Sequence, residues 1–583
     1  MRRLRFAAGF LLALSLTATI HAEPPHPFRL IPEQANLIVH VEQPRKLVET
    51  LTQIPAVQEA QKLPFVRDRL ETPAFQRFLN LVAYYERDLG MPWPDLLDKL
   101  AGGGITVAVK AGDDNSPLLL VVHGVDEDLS KRFLKLAVTV LEQELAREES
   151  KDQLKKGTYK GVDGWAVGKD LFLAQLGPDL VFTNKKEAMQ AVVDRHVDPA
   201  LKSLAKIKGP NEARKAVPAN SLAWLWLDLD VARKAPNAKE VFAQPSNDVV
   251  QTVAIGGWVD VVRRAPFLVA ALRHDANMLQ LTIRFPGAGL DGSPEQLTLH
   301  RPPKDQPTAP PLLEPKGVIL SQCFWFDFKA LWEQKGKLFN EKIAKDFEDG
   351  IKRASPFLPG TTLDKLFVQS GPYHRIVVAQ QDGDRGYKIK PGQYLPAFAY
   401  VGSMREEKFG KSMEGIVRGV ALLAGTQVKL KLFEETYAGV KIIGYRFPED
   451  GKLPNDPENL RFNFVPCFAV VGDHWLIAST QGFCHELIGM LQKERESSQA
   501  RVPASPHRLR IYSTGAAELA KMFEDQLLGQ IVLDQAVKLD QAKAHVEQIM
   551  SWLRGLGTID LHSEFQPKEY RFDVNWKMGQ KGK

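Results

Sequence analysis

A stretch of five residues, Thr-Tyr-Lys-Gly-Val at 158–162, decides the organisation of this chain because it returns as Thr-Tyr-Ala-Gly-Val at 436–440. Self-similarity between distant segments is the sequence signature of an internal repeat. The sequence therefore indicates that one architecture is used twice.

Other segments recur in the same order around these two. They are the Leu-Asp-Lys-Leu that precedes an apolar strand, a strand that leads into an amphipathic helix, and a turn followed by a strand and a helix. The pairs lie at 97–100 and 363–366, at 117–122 and 396–401, and at 177–184 and 472–479.

The repeat divides the chain into parts. We predict a first unit at 28–290, a proline-rich linker at 291–311 and a second unit at 312–578. Each unit is long enough to bury its own core.

The order of elements predicts the fold class. Strands outnumber helices and are joined by short turns such as 111–115, whereas parallel strands need connections of a dozen residues or more. We therefore predict an α+β fold in which helices pack on a curved, mainly antiparallel sheet. In the first unit, Phe75, Phe78, Leu79 and Val82 have the spacing of a buried helical face.

Composition excludes several classes of protein. The 583 residues are 44% hydrophobic and 25% charged, which rules out wholesale disorder. Three cysteines are too few for a disulfide scaffold or a zinc ribbon. We expect three buried thiols, with a Cys467–Cys484 bridge as the alternative.

The N-terminus has the pattern of a secretory signal peptide. Three arginines precede an apolar run at 6–20, and Ala22 stands before the expected cut. The run is shorter than the ~20 residues that span a bilayer. Removing 1–22 leaves 73 basic and 70 acidic residues, a net charge of +3. We expect a secreted or periplasmic protein without stable membrane insertion after cleavage.

Each catalytic or cofactor-binding motif that the sequence suggests is incomplete or absent, so we predict no catalytic residues and no cofactor. Gly410-Lys411-Ser412 resembles a phosphate-binding loop, but Arg405 stands where the leading glycine belongs. The glycines at 102–104 follow a helix, the reverse of a dinucleotide fingerprint. No Gly-x-Ser-x-Gly elbow occurs.

Metal binding is not predicted either. His485-Glu486 begins like a metalloprotease helix, but no histidine follows four residues later. The alternative is a site assembled from His474, Cys484 and His485 with Cys467. The basic stretches at 151–160 and 202–215 are interrupted by acidic or aliphatic residues, so we predict no nucleic-acid partner.

Three residues are candidates for ligand binding: Trp224, Trp226 and Asp228. The two tryptophans share one face of a strand and could line a concave sheet that holds an apolar or glycan ligand; the alternative is ordinary core. Asp228 and Asp230 could act as acid and base or bind a cation.

Helix capping is the alternative for the acidic pair. Glu42 and Asp327 stand at equivalent strand-to-helix junctions, where a carboxylate caps free N–H groups and complements the helix dipole.

The Leu-Asp-Lys-Leu segments, the Gly-Gly-Ile-Thr-Val-Ala at 103–108 and the proline-led opening strands resemble a group of exported bacterial proteins. These are known mainly as domains of unknown function. The resemblance covers most of the mature chain and implies a secreted or periplasmic protein with repeated α+β units. It implies no activity and no catalytic residues.

We therefore expect a non-catalytic envelope protein that binds a partner protein or a small ligand through its paired units. The cleft between the two copies is the expected site, because ligand sites favour domain interfaces. The alternatives are a hydrolase whose site is assembled from scattered residues and a periplasmic carrier of lipid or another apolar ligand.

Overall fold

The computed structural model describes residues 26–112, 116–149, 152–236, 238–289, 299–381, 385–424, 430–450, 455–497 and 501–579, with the backbone alone at 421–424. The predicted signal peptide at 1–22 lies outside the described residues, as does the part of the predicted linker at 291–298.

The first half of the chain forms ten strands and eleven helices within the described ranges. The strands are β1 (Leu37–Val41), β2 (Ile105–Val109), β3 (Leu118–Val122), β4 (Leu154–Tyr159), β5 (Val162–Val167), β6 (Leu171–Leu176), β7 (Asp179–Thr183), β8 (Ala223–Asp228), β9 (Phe267–Asp275) and β10 (Met278–Pro286). The helices are α1 (Pro44–Gln53), α2 (Pro55–Ala60), α3 (Pro64–Leu70), α4 (Pro73–Leu89), α5 (Trp93–Ala101), α6 (Glu127–Arg147), α7 (Lys186–Val197), α8 (Lys208–Ala216), α9 (Leu229–Arg233), α10 (Ala238–Val241) and α11 (Val249–Arg264).

The second half repeats the order of the strands, with two short additional strands and two fewer helices within the described ranges. The strands are β11 (Thr308–Ala309), β12 (Val318–Trp325), β13 (Ser370–Ala379), β14 (Ala397–Met404), β15 (Lys431–Tyr437), β16 (Val440–Arg446), β17 (Cys467–Val471), β18 (His474–Ala478), β19 (Val502–Pro503), β20 (His507–Tyr512), β21 (Thr558–Phe565) and β22 (Glu569–Lys577). The helices are α12 (Phe328–Glu333), α13 (Lys335–Leu338), α14 (Glu341–Ala354), α15 (Leu363–Gln369), α16 (Glu407–Ala424), α17 (Gln481–Glu496), α18 (Ser513–Lys521), α19 (Glu524–Gln535) and α20 (Leu539–Gly555).

Twenty of the strands form one antiparallel sheet. In the first half the order across the sheet is β4-β5-β6-β7-β3-β2-β1-β8-β9-β10. In the second half it is β15-β16-β17-β18-β14-β13-β12-β20-β21-β22. Both halves therefore have the same strand order, and the predicted α+β fold with an antiparallel sheet is confirmed.

The segments that recur in the sequence form the same hairpin in each half. Lys160 and Gly161 have positive φ angles of 48° and 82°, and Ala438 and Gly439 have 48° and 77°. Two consecutive residues with positive φ form a type I′ turn, whose twist matches that of the flanking strands. The glycine recurs because the second position of this turn is strained for other residues.

The two halves are joined by the pairing of β10 with β22. Nine residue pairs cross this seam, from Met278 opposite Lys577 to Pro286 opposite Glu569. At its centre the fully buried Asp573 accepts a 2.6 Å hydrogen bond from the Thr282 hydroxyl and lies 2.8 Å from Arg571 Nε. A buried charge is tolerated there because it is paired on two sides.

Each half has its own core against one helix. Val192 and Val193 of α7 pack on the first half, and Leu487 and Ile488 of α17 pack on the second. Cys323, Cys467 and Cys484 are buried, free thiols.

Helix α4 is more exposed than its sequence pattern predicts. Phe78 is 56% exposed and Leu79 is 44% exposed, so the predicted buried face is not buried. The helix packs mainly through its C-terminal end, where Leu89 is buried and the Tyr85 ring stacks on Phe133. The spacing was correct for a helix but could not show how much of that helix the neighbouring elements would cover.

Helices also cross from each half to the other. Val249 and Val253 of α11 pack against a second-half cluster that contains Phe326 and Phe339. In the opposite direction, Trp552 of α20 donates a 2.8 Å hydrogen bond to the carbonyl of Ala56 in α2. The seam and these crossings place α11 above the strands of the second half.

We expect Asp573→Ala to lower the free energy of unfolding by about 3–5 kcal/mol, because it leaves Arg571 and Thr282 without their buried partner. Urea unfolding of the full chain measures this. The matched control is Glu518→Gln, which removes an exposed ion pair with Arg554 and should cost less than about 1 kcal/mol. Equal losses in both variants would contradict the importance of the seam.

Candidate functional site

A cavity of about 480 Å³ opens between α11 and the strands of the second half, beside the seam. We call it the central groove. Its main lining side chains are Ile255, Trp258, Phe324, His507, Phe565 and Phe572.

Strand alternation places the aromatic rings on one face of the sheet. Phe572 comes from the seam strand β22, and Phe565 comes from β21, which pairs with β22. Phe324 extends the same surface from β12, two strands further along. The floor of the central groove is therefore a row of rings fixed to the backbone of adjacent strands.

Helix α11 supplies the wall. Ile255 and Trp258 are three residues apart and so share one side of the helix. The Trp258 ring stands edge-on to Tyr570 and Phe572, with centroids 5.4 and 5.3 Å away. It remains 41% exposed, which leaves a large aromatic surface at the rim.

Glycines bring this wall close to its neighbour His300. A Cβ atom at Gly257 would lie 2.8 Å from His300 Cβ, so a larger residue would push the helix away. His300 in turn donates its Nε2 proton to the carbonyl of Thr252 at 3.0 Å. Burial lowers the pKa of His300, which keeps the ring neutral.

One polar pair lies within the aromatic floor. The Gln322 amide donates a 2.7 Å hydrogen bond to His507 Nε2, so that ring nitrogen is the unprotonated one. Burial lowers the pKa of His507. The central groove thus combines apolar walls with a fixed, neutral hydrogen-bonding group.

The predicted ligand residues lie elsewhere. Trp224 and Trp226 are 2% and 4% exposed in the core of the first half. Asp228 caps α9 by accepting from the backbone N–H of Asp230 at 2.9 Å. Trp226 and Asp228 also line a separate cavity of about 440 Å³. Their role in ligand binding stays a prediction.

The capping interpretation is correct for Asp327 and wrong for Glu42. Asp327 accepts from the N–H of Ala330 at 3.2 Å and caps α12. The residue at the start of α1 is Gln43, which makes no side-chain cap. Glu42 instead accepts a 3.0 Å hydrogen bond from Trp224 Nε1 of β8.

Cys467 and Cys484 of the alternative metal site contact each other, but the four residues form no metal-binding group within the described ranges. His485 stacks on Tyr437 at 4.0 Å and contacts Glu435 at 2.7 Å, while Cys467 and Cys484 lie in the core. Over the described ranges, no three or more His, Cys, Asp or Glu side chains are grouped so as to hold a metal ion.

Within the part of the chain that the structure covers, no helix combines the length and apolar character that a membrane crossing requires.

The chain matches no family profile and no curated relative. Among solved structures it is similar to two crystal forms of a protein named TP0453. Crystal form I gives a TM-score of 0.23 at 9% identity, and crystal form III gives 0.25 at 8%. Each alignment covers 45% of this chain and 79% or 80% of the other. A likeness of this size says nothing about function.

The sequence predicted a site between the two copies but did not identify the residues that line the central groove. Its residues come from α11 and five strands that span much of the chain, so no local motif joins them. The local signs were the aromatic run at 324–326 and Trp258 beside Gly256 and Gly257 in an apolar helix. Both patterns are equally typical of core packing.

We expect the stability of the fold to fall below about pH 6.5, partly because of His507. Its folded pKa is lowered, so the unfolded chain binds the proton more readily and unfolding is favoured as the pH falls through the unfolded value. In His507→Gln, the loss of unfolding free energy between about pH 7.5 and pH 5.5 should be smaller.

Urea titrations at the two pH values measure this difference. His196→Gln on α7 is the control, because that side chain is exposed. The interpretation is wrong if His507→Gln loses as much stability on acidification as the unmodified chain does.

Proposed function

We propose that this protein is a non-catalytic binding protein that holds one small aromatic molecule in the central groove. The observation that carries the proposal is the cavity of about 480 Å³ lined by rings from both halves of the chain. Small-molecule sites measure roughly 300–1,000 Å³ and are mostly apolar with a few placed polar groups.

The arrangement of the rings favours an aromatic ligand. Trp258 presents an exposed ring above a floor that includes Phe324 and Phe572, so a flat molecule can contact rings on two sides. Aromatic pairs contribute about 0.5–1.5 kcal/mol each beyond the area that they bury. The Gln322–His507 pair offers a hydrogen bond to one polar substituent.

We further propose that the protein acts outside the cytoplasm, in the cell envelope or secreted. This rests on the pattern of residues 1–22, with its three arginines, apolar run and Ala22. It also rests on the resemblance of the repeat segments to exported bacterial proteins.

Titration with N-phenyl-1-naphthylamine, a neutral dye that fluoresces in apolar surroundings, tests the binding function. We expect saturable binding of one dye per chain. Trp258→Ala should weaken it about 30-fold, because truncating a central aromatic contact typically costs about 2 kcal/mol.

Trp93→Ala is the matched control, since Trp93 on α5 is 38% exposed and lies outside the central groove. It should leave dye binding unchanged. Non-saturable binding, or equal weakening by both substitutions, would refute the site. A long-chain fatty acid that displaces the dye at one equivalent would instead favour the carrier function for acyl chains.

A further inference from the structure

A chain of buried polar side chains runs through the first half, away from the central groove. The Thr106 hydroxyl, 0% exposed, lies between two buried histidine rings. Its Oγ1 is 2.8 Å from His40 Nδ1 and 2.9 Å from His123 Nε2.

Each ring faces a carboxylate with its other nitrogen. His40 Nε2 lies 3.5 Å from Glu42 Oε2, and His123 Nδ1 lies 3.4 Å from Asp179 Oδ1. The five residues therefore form a continuous series of four contacts, which we call the histidine chain: Glu42, His40, Thr106, His123 and Asp179.

Counting protons shows that the histidine chain is one short. A neutral histidine carries one N–H and a threonine one O–H, so three protons serve four contacts. If His40 donates to Glu42, the Thr106 proton goes to His40, His123 donates to Thr106, and His123 Nδ1 faces Asp179 with a lone pair. If His123 donates to Asp179, the order reverses and His40 Nε2 faces Glu42 in the same way.

The geometry agrees with the first arrangement. His123 Nδ1 is a buried atom that makes no hydrogen bond within the described residues, as expected for a lone pair that faces Asp179. One added proton supplies a donor for all four contacts. One ring becomes an imidazolium whose two N–H groups point at its carboxylate and at Thr106. Thr106 then donates to the other ring, and the N–H of that ring points at the second carboxylate. Either ring can carry the charge, because the series is the same in both directions.

We propose that the histidine chain is a binding site for a single proton shared by His40 and His123. The ligand is H⁺ taken from the solvent, and both carboxylates act as acceptors. The two rings then titrate as one unit in one macroscopic step.

Charged groups from the surrounding elements set the range in which this proton binds. Arg214 of α8 lies 3.8 Å from Glu42, and Arg29 of the N-terminal segment pairs with Asp179. Burial lowers the pKa of His40, with His123 and Arg214 acting in the same direction and Glu42 opposing them. The hydrogen bond with His40 lowers the pKa of Glu42 to about 2, so that carboxylate stays an acceptor. Burial and Arg214 therefore oppose protonation of His40, while Glu42 favours it.

Glycines at the end of α5 close this part of the fold. A Cβ at Gly104 would lie 2.9 Å from His40 Cε1, and one at Gly103 would lie 2.9 Å from His123 Cβ. Thr106 is therefore sealed beneath them, whereas the Glu42 carboxylate at the end of the series remains partly exposed.

The second half does not contain this series. Strand register places Cys323 at the position of His40 and Arg375 at the position of Thr106. Ser403 and His474 take the positions of His123 and Asp179. Arg375 makes a 2.6 Å ion pair with Glu494. Because the same strand order forms without the histidine chain, the fold does not require it.

Side-chain ¹⁵N NMR of the full chain, labelled at histidine, tests the proposal. His40→Gln and His123→Gln assign the two rings. We expect both rings to shift with one common midpoint and to take up one proton between them. Different midpoints in the unmodified protein would overturn the proposal.

Thr106→Val removes the shared hydroxyl and keeps the shape of the side chain. It should separate the two midpoints by roughly one pH unit or more. Thr252→Val on α11 is the control and should leave the common midpoint in place; a common midpoint that survives Thr106→Val would refute the sharing. If Thr106→Val does not fold, the His40 midpoint in His123→Gln decides, and an unchanged midpoint there overturns the proposal.

Discussion

The antiparallel pairing of β10 with β22 determines the form of the whole molecule. Without it the two halves would be separate sheets, each with an unpaired strand whose N–H and C=O groups need partners. With it they become one sheet, and helices cross from each half to the other. The central groove exists because the seam brings Phe572 of β22 under Trp258 of α11.

The two halves show how one strand order accommodates different interiors. The turns at Gly161 and Gly439 are the same because both need positive φ. At matching sheet positions the first half buries His40 and Thr106, and the second buries Cys323 and Arg375. Backbone hydrogen bonds fix the strands regardless of side chain, so the interior is free to differ as long as each buried polar group finds a partner.

Prediction succeeded where local chemistry decides the outcome and failed where distant elements do. The α+β class followed from short connections, and Asp327 followed from the preference of carboxylates for helix starts. Glu42 stood at a similar junction, yet its carboxylate binds Trp224 from a strand far along the chain. Phe78 had the spacing of a core residue, but its side chain is more than half exposed.

The sequence by itself determined the repeated order of strands and helices, the tight turns and the absence of a recognisable catalytic motif, because each depends on residues close together in the chain. Tertiary structure alone decided the joining of two sheets, the central groove and the histidine chain. These depend on which strands become neighbours, and that choice is made by backbone pairing and burial summed over the whole molecule. Thr106 shows this: nothing in the sequence around it indicates that His40 and His123 will contact its hydroxyl from two sides.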